Sequence, residues 1–130
     1  MIKEIISTTQ APAALGPYSQ GTMAMGHLVF VSGQVPVDPA TGKIVDGGVE
    51  AQAEQSCKNV MAVLKAIDLD ASNVFKTTVF ITNMADFPKI NEVYKKYFTE
   101  PCPARSCVQV SALPLGAQVE IEAIAVRGRE

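Results

Sequence analysis

The feature that most constrains the fold is an apolar stripe that recurs every three or four residues in the first half of the chain. Its members are Val49, Ala53, Cys57, Val60, Met61, Leu64 and Ile67. This spacing puts them on one side of a helix, and that side must be buried against another element. We therefore predict a helix over about residues 49–66 that packs on a sheet.

Short runs rich in β-branched and aromatic residues predict the strands of that sheet. These runs lie at residues 3–7, 20–24, 27–32, 74–82, 105–110 and 119–126. Met25-Gly26-His27 is predicted to turn the second strand into the third as a hairpin. Prolines and glycines over residues 34–48 predict a surface turn region between the third strand and the helix.

A second helix is predicted after the fourth strand, with Asp86 as its N-cap and Pro88 in its first turn. Its apolar face consists of Phe87, Ile90, Val93, Tyr94, Tyr97 and Phe98. The element order is then β-β-β-α-β-α-β-β, an α+β fold in which a mixed sheet carries both helices on one face. We expect residues 1–130 to form a single domain.

The balance of charged and apolar residues predicts how the chain meets its surroundings. Hydrophobic residues make up 48% and charged residues 18% of the chain, against a typical charged share of about 25%, so we expect a homo-oligomer that buries the excess apolar surface. The formal net charge is −2 and the basic residues are scattered, which makes nucleic acid an unlikely partner. Without an apolar run long enough for a signal peptide or a membrane span, we expect a cytoplasmic protein.

Three cysteines and one histidine, His27, match no zinc-ligand spacing. We therefore expect reduced thiols and no structural metal. Cys107 could be a nucleophile, but no histidine can be placed beside it, and strand cysteines are usually inert core residues.

Arg105 is the only arginine inside a predicted core strand, and a buried cation needs a partner. Strand alternation places Arg105 and Cys107 on one face of their strand. In the last strand, Glu120 and Glu122 share a face with apolar neighbours. If these two strands pair, a buried carboxylate approaches a buried guanidinium. Two interpretations stay open: a structural Arg105–Glu120 ion pair, or a site that binds something.

Three further positions have a functional and a structural interpretation each. Tyr18, in the loop after Gly16-Pro17, either presents its phenol to a site or covers the edge of the core. Asn91 on the second helix is a site residue or an ordinary surface amide. Gly33, between Ser32 and Gln34 at the end of a strand, either admits a ligand close to the backbone or forms a turn.

Five segments together resemble the RidA family, also called the YjgF or L-PSP family. They are Gly16-Pro17-Tyr18-Ser19-Gln20-Gly21, Ser32-Gly33-Gln34-Val35-Pro36, Asn91-Glu92-Val93-Tyr94, Pro103-Ala104-Arg105-Ser106-Cys107-Val108 and Val119-Glu120-Ile121-Glu122-Ala123-Ile124-Ala125. The resemblance spans nearly the whole chain, and the last two segments are its most specific part.

The resemblance implies a chorismate-mutase-like fold and a homotrimer with clefts between its subunits. It also implies hydrolysis of reactive enamines and imines, such as 2-aminoacrylate and 2-iminopropanoate, to 2-oxo acids and ammonia without a cofactor or a metal. In that family pattern Arg105 binds the substrate carboxylate and Glu120 orients the attacking water. The matching pocket-lining positions are Tyr18, Ser32, Gly33, Asn91 and Cys107.

Two other functions remain alternatives to imine hydrolysis. The same pocket could bind 2-oxo acids in a regulatory protein that catalyses nothing. Relatives have also been described as endoribonucleases or translation inhibitors, but the acidic balance of this chain disfavours an RNA substrate.

Overall fold

The computed structural model describes residues 3–128, and these form eight strands, two helices and three short 3₁₀ turns. The strands are β1 (Lys3–Ile6), β2 (Gly21–Ala24), β3 (His27–Gln34), β4 (Val37–Asp38), β5 (Lys43–Ile44), β6 (Val74–Ile81), β7 (Ala104–Gln109) and β8 (Val119–Arg127). The helices are α1 (Gly48–Lys65) and α2 (Phe87–Tyr97).

The main sheet has four strands in the order β3-β8-β6-β7. Strand β8 runs antiparallel to both β3 and β6, whereas β6 and β7 are parallel. A parallel pair needs a crossover connection, and α2 supplies it between β6 and β7. Strands β1 and β2 pair with each other in a separate two-stranded sheet, and β4 and β5 form a small hairpin.

One face of the main sheet is buried beneath the two helices, and this layer forms the core. Its members include Val60 and Leu64 from α1, Ile90 and Tyr94 from α2, and the inward residues Val79, Ile81, Ile121, Ala123 and Ala125 of the sheet. The opposite face, which we call the open face, carries Leu28 and Phe30, whose surfaces are 58% and 70% exposed. Within residues 3–128 the main sheet is therefore covered on one side only.

The α+β class, the mixed sheet and the order of the predicted elements are confirmed. Helix α1 lies within one residue of its predicted bounds and α2 begins directly after Asp86, because the apolar stripes that define them are buried against the sheet. The region over residues 34–48, predicted as turns, also contains the β4–β5 hairpin.

One local prediction is wrong, and a second, the N-cap of α2, is confirmed in position only. The expected hairpin does not form, because β2 pairs with β1 while β3 pairs with β8. Gly26 does turn the chain there, and a larger residue would not fit, because a Cβ at that position would overlap the Arg127 carbonyl. Asp86 occupies the N-cap position of α2 without a side-chain cap, because a 3₁₀ turn precedes the helix and Asn83 caps that turn instead.

Candidate active site

Four of the predicted site residues meet at the edge strand β7, on the helix-covered side of the sheet. Arg105 and Cys107 point from β7 towards α2, as strand alternation predicts, because their sheet neighbours Thr77 and Val79 face the core. Asn91 reaches them from α2, and Tyr18 from the loop before β2. Together with Phe87 of α2, these residues form what we call the arginine cluster: Tyr18, Phe87, Asn91, Arg105 and Cys107.

The guanidinium of Arg105 is held by aromatic rings and one amide. Its central carbon lies 5.3 Å from the ring centroids of Tyr18 and Phe87 and 4.9 Å from that of Tyr94. Arg105 Nη1 donates a hydrogen bond to Asn91 Oδ1 at 2.6 Å. Ring faces attract a cation without consuming its N–H groups, so most of the five donors of Arg105 stay free for a ligand.

Arg105 has no carboxylate partner among residues 3–128. The two ion pairs found in this range are Lys95–Glu92 and Lys96–Glu54, both on the helices. A cavity of about 310 Å³ opens beside the guanidinium, lined also by Leu15 and Gly16. A free guanidinium facing a small cavity is suited to bind one carboxylate through two parallel hydrogen bonds.

The loop that carries Tyr18 is fastened to the start of β7. The Ser19 N–H donates to the Pro103 carbonyl at 3.1 Å, and Ser19 Oγ donates to the Cys102 carbonyl at 2.6 Å. The Leu15 N–H donates to the Tyr18 hydroxyl oxygen at 3.3 Å. These bonds hold the phenol at the cavity, so Tyr18 is a cluster residue rather than only a cover of the core edge.

Cys107 lies half-buried beside Arg105. Burial raises the pKa of its thiol, and the positive charge of Arg105 opposes that shift only in part. A protonated thiol is a poor nucleophile. The environment of Cys107 therefore matches a lining residue and not an activated nucleophile.

The remaining predicted site residues, Ser32, Gly33 and Glu120, lie on the open face; we call them the glutamate cluster. Glu120 projects to this face because its neighbours Val119 and Ile121 are buried in the core. Ser32 and Gly33 form a bulge in the β3–β8 pairing, between Val31 and Gln34.

Gly33 lies so close to Glu120 that a Cβ on it would overlap Glu120 Oε2. The glycine thus makes room for the carboxylate. The surroundings of Gly33 favour the interpretation in which another group approaches its backbone closely. The group that does so here is the Glu120 side chain.

The two clusters do not meet within one chain. Strand β6 lies between β7 and β8, so β7 and β8 do not pair with each other. Arg105 aligns with Thr77 and Ala123 on the covered face, whereas Glu120 aligns with Phe80 and projects to the other face. The structural Arg105–Glu120 ion pair that the sequence left open is therefore not formed in the described chain, and the roles of both residues stay predictions.

The sequence interpretation missed the part that aromatic residues of α2 play. Phe87 and Tyr94 were assigned to the apolar face of the helix, yet both rings contact the guanidinium. Phe87 precedes Asn91 by four residues and Tyr94 follows it by three, so helical spacing already placed all three on one side of α2.

Among residues 3–128, no group of three or more His, Cys, Asp or Glu side chains is arranged to hold a metal ion. Nor does any helix here combine the length and apolar character that crossing a membrane requires.

Comparisons with known proteins match almost the full chain. A family model described as Endoribonuclease L-PSP matches residues 8–127. A mouse protein named 2-iminobutanoate/2-iminopropanoate deaminase is 52% identical over 128 residues, which are 98% of this chain and 94% of that protein.

Solved structures agree with this match. Escherichia coli TdcF with bound serine is 51% identical, with a TM-score of 0.74 over 96% of this chain and 99% of that one. RidA from an Antarctic Psychrobacter is 43% identical, with a TM-score of 0.75 over 95% of this chain and 99% of its own. On sequence, fold and the match of the family model, the chain belongs to the RidA family, also called the YjgF or L-PSP family.

Proposed function

We propose that this protein hydrolyses small imines and enamines that carry a carboxylate, releasing 2-oxo acids and ammonia. The observation that carries the proposal is the guanidinium of Arg105, which has no carboxylate partner among residues 3–128 and lies beside a cavity of about 310 Å³. The name of the mouse relative, 2-iminobutanoate/2-iminopropanoate deaminase, supports this reaction. The substrates are then 2-iminopropanoate, 2-iminobutanoate and the enamines that tautomerise to them, such as 2-aminoacrylate.

Arg105 binds the substrate carboxylate, and its planar fork fixes the position of the imine carbon next to that carboxylate. The rings of Tyr18 and Phe87 form apolar walls that accept a short alkyl chain. The E. coli relative solved with serine supports a small carboxylate-bearing ligand for this kind of protein.

Two subunits complete each site in this proposal. The open face carries Leu28 and Phe30, both mostly exposed, together with Glu120. When the open face of one subunit packs against the β7 edge of the next, apolar surface is buried and the glutamate cluster faces a neighbouring arginine cluster. Because Arg105 and Glu120 lie on different faces, the contact is heterologous, and such contacts close into a ring when the rotation allows. We propose a homotrimer.

The reaction moves protons and needs no redox step. Glu120 accepts a proton from water while the water oxygen bonds to the imine carbon, whose C=N π electrons move to the protonated nitrogen. Glu120 then returns its proton to the amino group of the tetrahedral amino alcohol, and the C–N bond breaks with its electron pair leaving on nitrogen as ammonia. The hydroxyl proton passes back to the Glu120 carboxylate as the C=O bond of the 2-oxo acid forms, and from there to solvent. Since each step transfers a proton or a C–N electron pair, neither a cofactor nor a metal is required by this chemistry.

We further propose that residues 1–130 work as one domain in the cytoplasm. The shared core of α1, α2 and the main sheet supports a single folding unit. The three cysteines, Cys57, Cys102 and Cys107, are free thiols, as is usual in a reducing compartment.

The test is a coupled assay in which a serine or threonine dehydratase generates the imine and the release of 2-oxo acid is followed. The protein is expected to accelerate release, and Arg105→Ala to lower kcat/KM by about 100-fold or more, because two charge-assisted hydrogen bonds are lost. Ser106→Ala is the matched control, since Ser106 is the next residue on β7 but faces the other side. No acceleration by the wild-type protein would overturn the proposal.

The regulatory alternative predicts a different pattern in the same experiment. A protein that only senses 2-oxo acids would bind 2-oxobutanoate through Arg105 and leave the loss of the imine at its uncatalysed rate. Binding measured by calorimetry together with the assay therefore separates the two functions.

The description of the family model is the observation that favours RNA cleavage as a second candidate. With a net charge of −2, the chain has no excess of basic groups to neutralise phosphates. RNA cleavage that survives repurification and disappears in Arg105→Ala would support that candidate.

A further inference from the structure

Behind the arginine cluster lies a buried layer that the proposed reaction does not use. The ring of Tyr94 faces the Arg105 guanidinium at 4.9 Å, which is the shortest of the three ring distances. Tyr94 is 0% exposed and does not line the cavity. A ligand in the cavity would therefore meet Tyr18 and Phe87 directly, but would feel Tyr94 only through Arg105.

The Tyr94 ring is itself held on two sides. Phe98 stacks on it with ring centroids 4.5 Å apart. A hydrogen bond of 2.7 Å joins Tyr94 Oη to Thr77 Oγ1, and Thr77 is also 0% exposed. Thr77 is the β6 residue directly beside Arg105 in the parallel pair. The ring that supports the guanidinium is thus anchored to the strand next to the arginine.

Asn91 and Tyr94 act on the guanidinium in complementary directions. Asn91 accepts a hydrogen bond from Nη1 in the plane of the guanidinium, which fixes its rotation. Tyr94, three residues further along α2, contacts the cation through its ring face. Burial raises the pKa of the Tyr94 phenol, so the anchor stays neutral and competes with no substrate carboxylate for Arg105.

We propose that Tyr94, anchored by Thr77, is a positioning residue that sets the plane of the Arg105 guanidinium for bidentate binding of the substrate carboxylate. This inference rests on the proposed function and assigns specificity for carboxylates to a residue that no ligand touches. Two parallel hydrogen bonds require the guanidinium and the carboxylate to be coplanar, so a tilted guanidinium loses one of them. The competing role for Tyr94 is core packing alone.

The experiment compares Thr77→Val, Tyr94→Phe and Tyr94→Leu with a matched control, Phe98→Leu. Thr77→Val and Tyr94→Phe each remove one hydroxyl of the Thr77–Tyr94 hydrogen bond and keep the shape of the core. Tyr94→Leu removes the ring beside Arg105, whereas Phe98→Leu removes the ring that stacks on Tyr94. Each protein is assayed for kcat and KM with 2-iminopropanoate and with its neutral amide, 2-iminopropanamide, and for the Kd of 2-oxobutanoate.

We expect Tyr94→Leu to raise KM for the carboxylate substrate and Kd for 2-oxobutanoate about 10-fold, the worth of one lost hydrogen bond to a charged group. The preference for carboxylate over amide falls by the same factor. Thr77→Val and Tyr94→Phe are each expected to lower that preference about threefold, and equally, because they break the same bond. Phe98→Leu is expected to shift the preference less than either conservative variant, because Thr77 still anchors the Tyr94 ring beside Arg105.

A positioning role is overturned if the variants lower activity on both substrates alike, or if Phe98→Leu shifts the preference as much as Tyr94→Leu. If Tyr94→Leu fails to fold, the two conservative variants decide alone, and an unchanged preference in both overturns the role. If the wild-type protein accelerates neither reaction, the proposed function fails, but the Kd of 2-oxobutanoate still reports how Tyr94 acts on Arg105.

Discussion

The two clusters of site residues differ in how much of their surroundings one chain supplies. The arginine cluster is enclosed by α2, the Tyr18 loop and β7, and its cation already has an amide and three rings around it. The glutamate cluster stands on the open face, where Gly33 makes room for Glu120. In the proposed mechanism, ligand binding is therefore prepared within a subunit, whereas Glu120 acts in a site that a second subunit completes.

This difference follows from where the helices lie. Both helices cover the same side of the sheet, so side chains that alternate inwards acquire neighbours from α1 and α2. Side chains that alternate outwards, such as Leu28, Phe30 and Glu120, stay exposed or half-buried. We expect the arginine cluster to keep its geometry when the assembly is broken, and the glutamate cluster to lose its function.

The most decisive way to break this comparison is subunit complementation. Arg105→Ala and Glu120→Gln are each expected to lower kcat/KM by about 100-fold or more, because in the proposed mechanism one removes the carboxylate anchor and the other the proton acceptor. When the two variants are unfolded together and refolded as a one-to-one mixture, about one quarter of the sites between subunits regain both residues. Activity of the mixture is measured in the coupled assay.

Each variant refolded alone is the control for this mixture. Recovery towards one quarter of the wild-type activity supports sites shared between subunits. A mixture no more active than its components, although it forms mixed oligomers, would contradict them and place both residues in one subunit's site.

A charge on the open face tests the same comparison through assembly. In Phe30→Asp a carboxylate replaces an exposed ring that faces Ile124 of β8, and it would have to be buried in the subunit contact. We expect the oligomer to dissociate and turnover to fall about 10-fold or more, while the far-UV spectrum stays that of a folded protein. Light scattering measures the assembly, and calorimetry the binding of 2-oxobutanoate.

Val63→Asp is the matched control, since Val63 is an exposed apolar residue of α1 and lies away from the open face. It is expected to leave assembly and turnover unchanged. If Phe30→Asp abolishes binding of 2-oxobutanoate while the protein remains folded, the arginine cluster is not complete within one subunit.

Local pattern predicted much of this arrangement. The period of the stripe from Val49 to Ile67 located α1, and alternation placed Arg105 and Cys107 on the same face. Both signals are local, since each depends on the geometry of a single element. The same holds for Asn91, which lies one helical turn from Phe87.

What failed was the pairing of elements. The sequence left open whether β7 and β8 pair, and in the structure β6 pairs with both and separates them. Likewise, the turn at Gly26 favoured a hairpin, yet β3 pairs with the distant β8. Strand order is set by burial summed over the whole sheet, which no short segment encodes. The roles of Phe87 and Tyr94 were hidden because a ring that packs on a cation has the same helical spacing as a core residue.

A smaller perturbation addresses the glutamate cluster alone. In Gly33→Ala the new methyl group would overlap Glu120 Oε2, and the flexible carboxylate is expected to rotate away while the backbone stays in place. We expect kcat to fall about 10-fold, because the proton acceptor is misplaced, with KM and the binding of 2-oxobutanoate little changed. Steady-state kinetics and thermal unfolding measure these effects.

The double variant Gly33→Ala/Glu120→Gln supplies the control for that mechanism. If the methyl group acts through the carboxylate, the double variant is no slower than Glu120→Gln alone. Additive losses would show that Gly33 acts through its own backbone instead.

The smallest effect on activity is expected at Cys107, whose thiol pKa reports how far the arginine cluster excludes water. Since burial raises its pKa, less thiolate is present near neutral pH, and alkylation by iodoacetamide should set in at higher pH than for an exposed cysteine. The positive charge of Arg105 lowers the pKa of the Cys107 thiol. Saturating 2-oxobutanoate neutralises that charge, so the bound ligand should raise this pKa and slow alkylation further. Cys107→Ala, expected to keep activity within about threefold, identifies the signal from this thiol against those of buried Cys57 and Cys102. If Cys107 is instead alkylated faster than an exposed cysteine and Cys107→Ala loses turnover, the thiol is the nucleophile. That outcome would contradict the proposed proton transfer from water to Glu120.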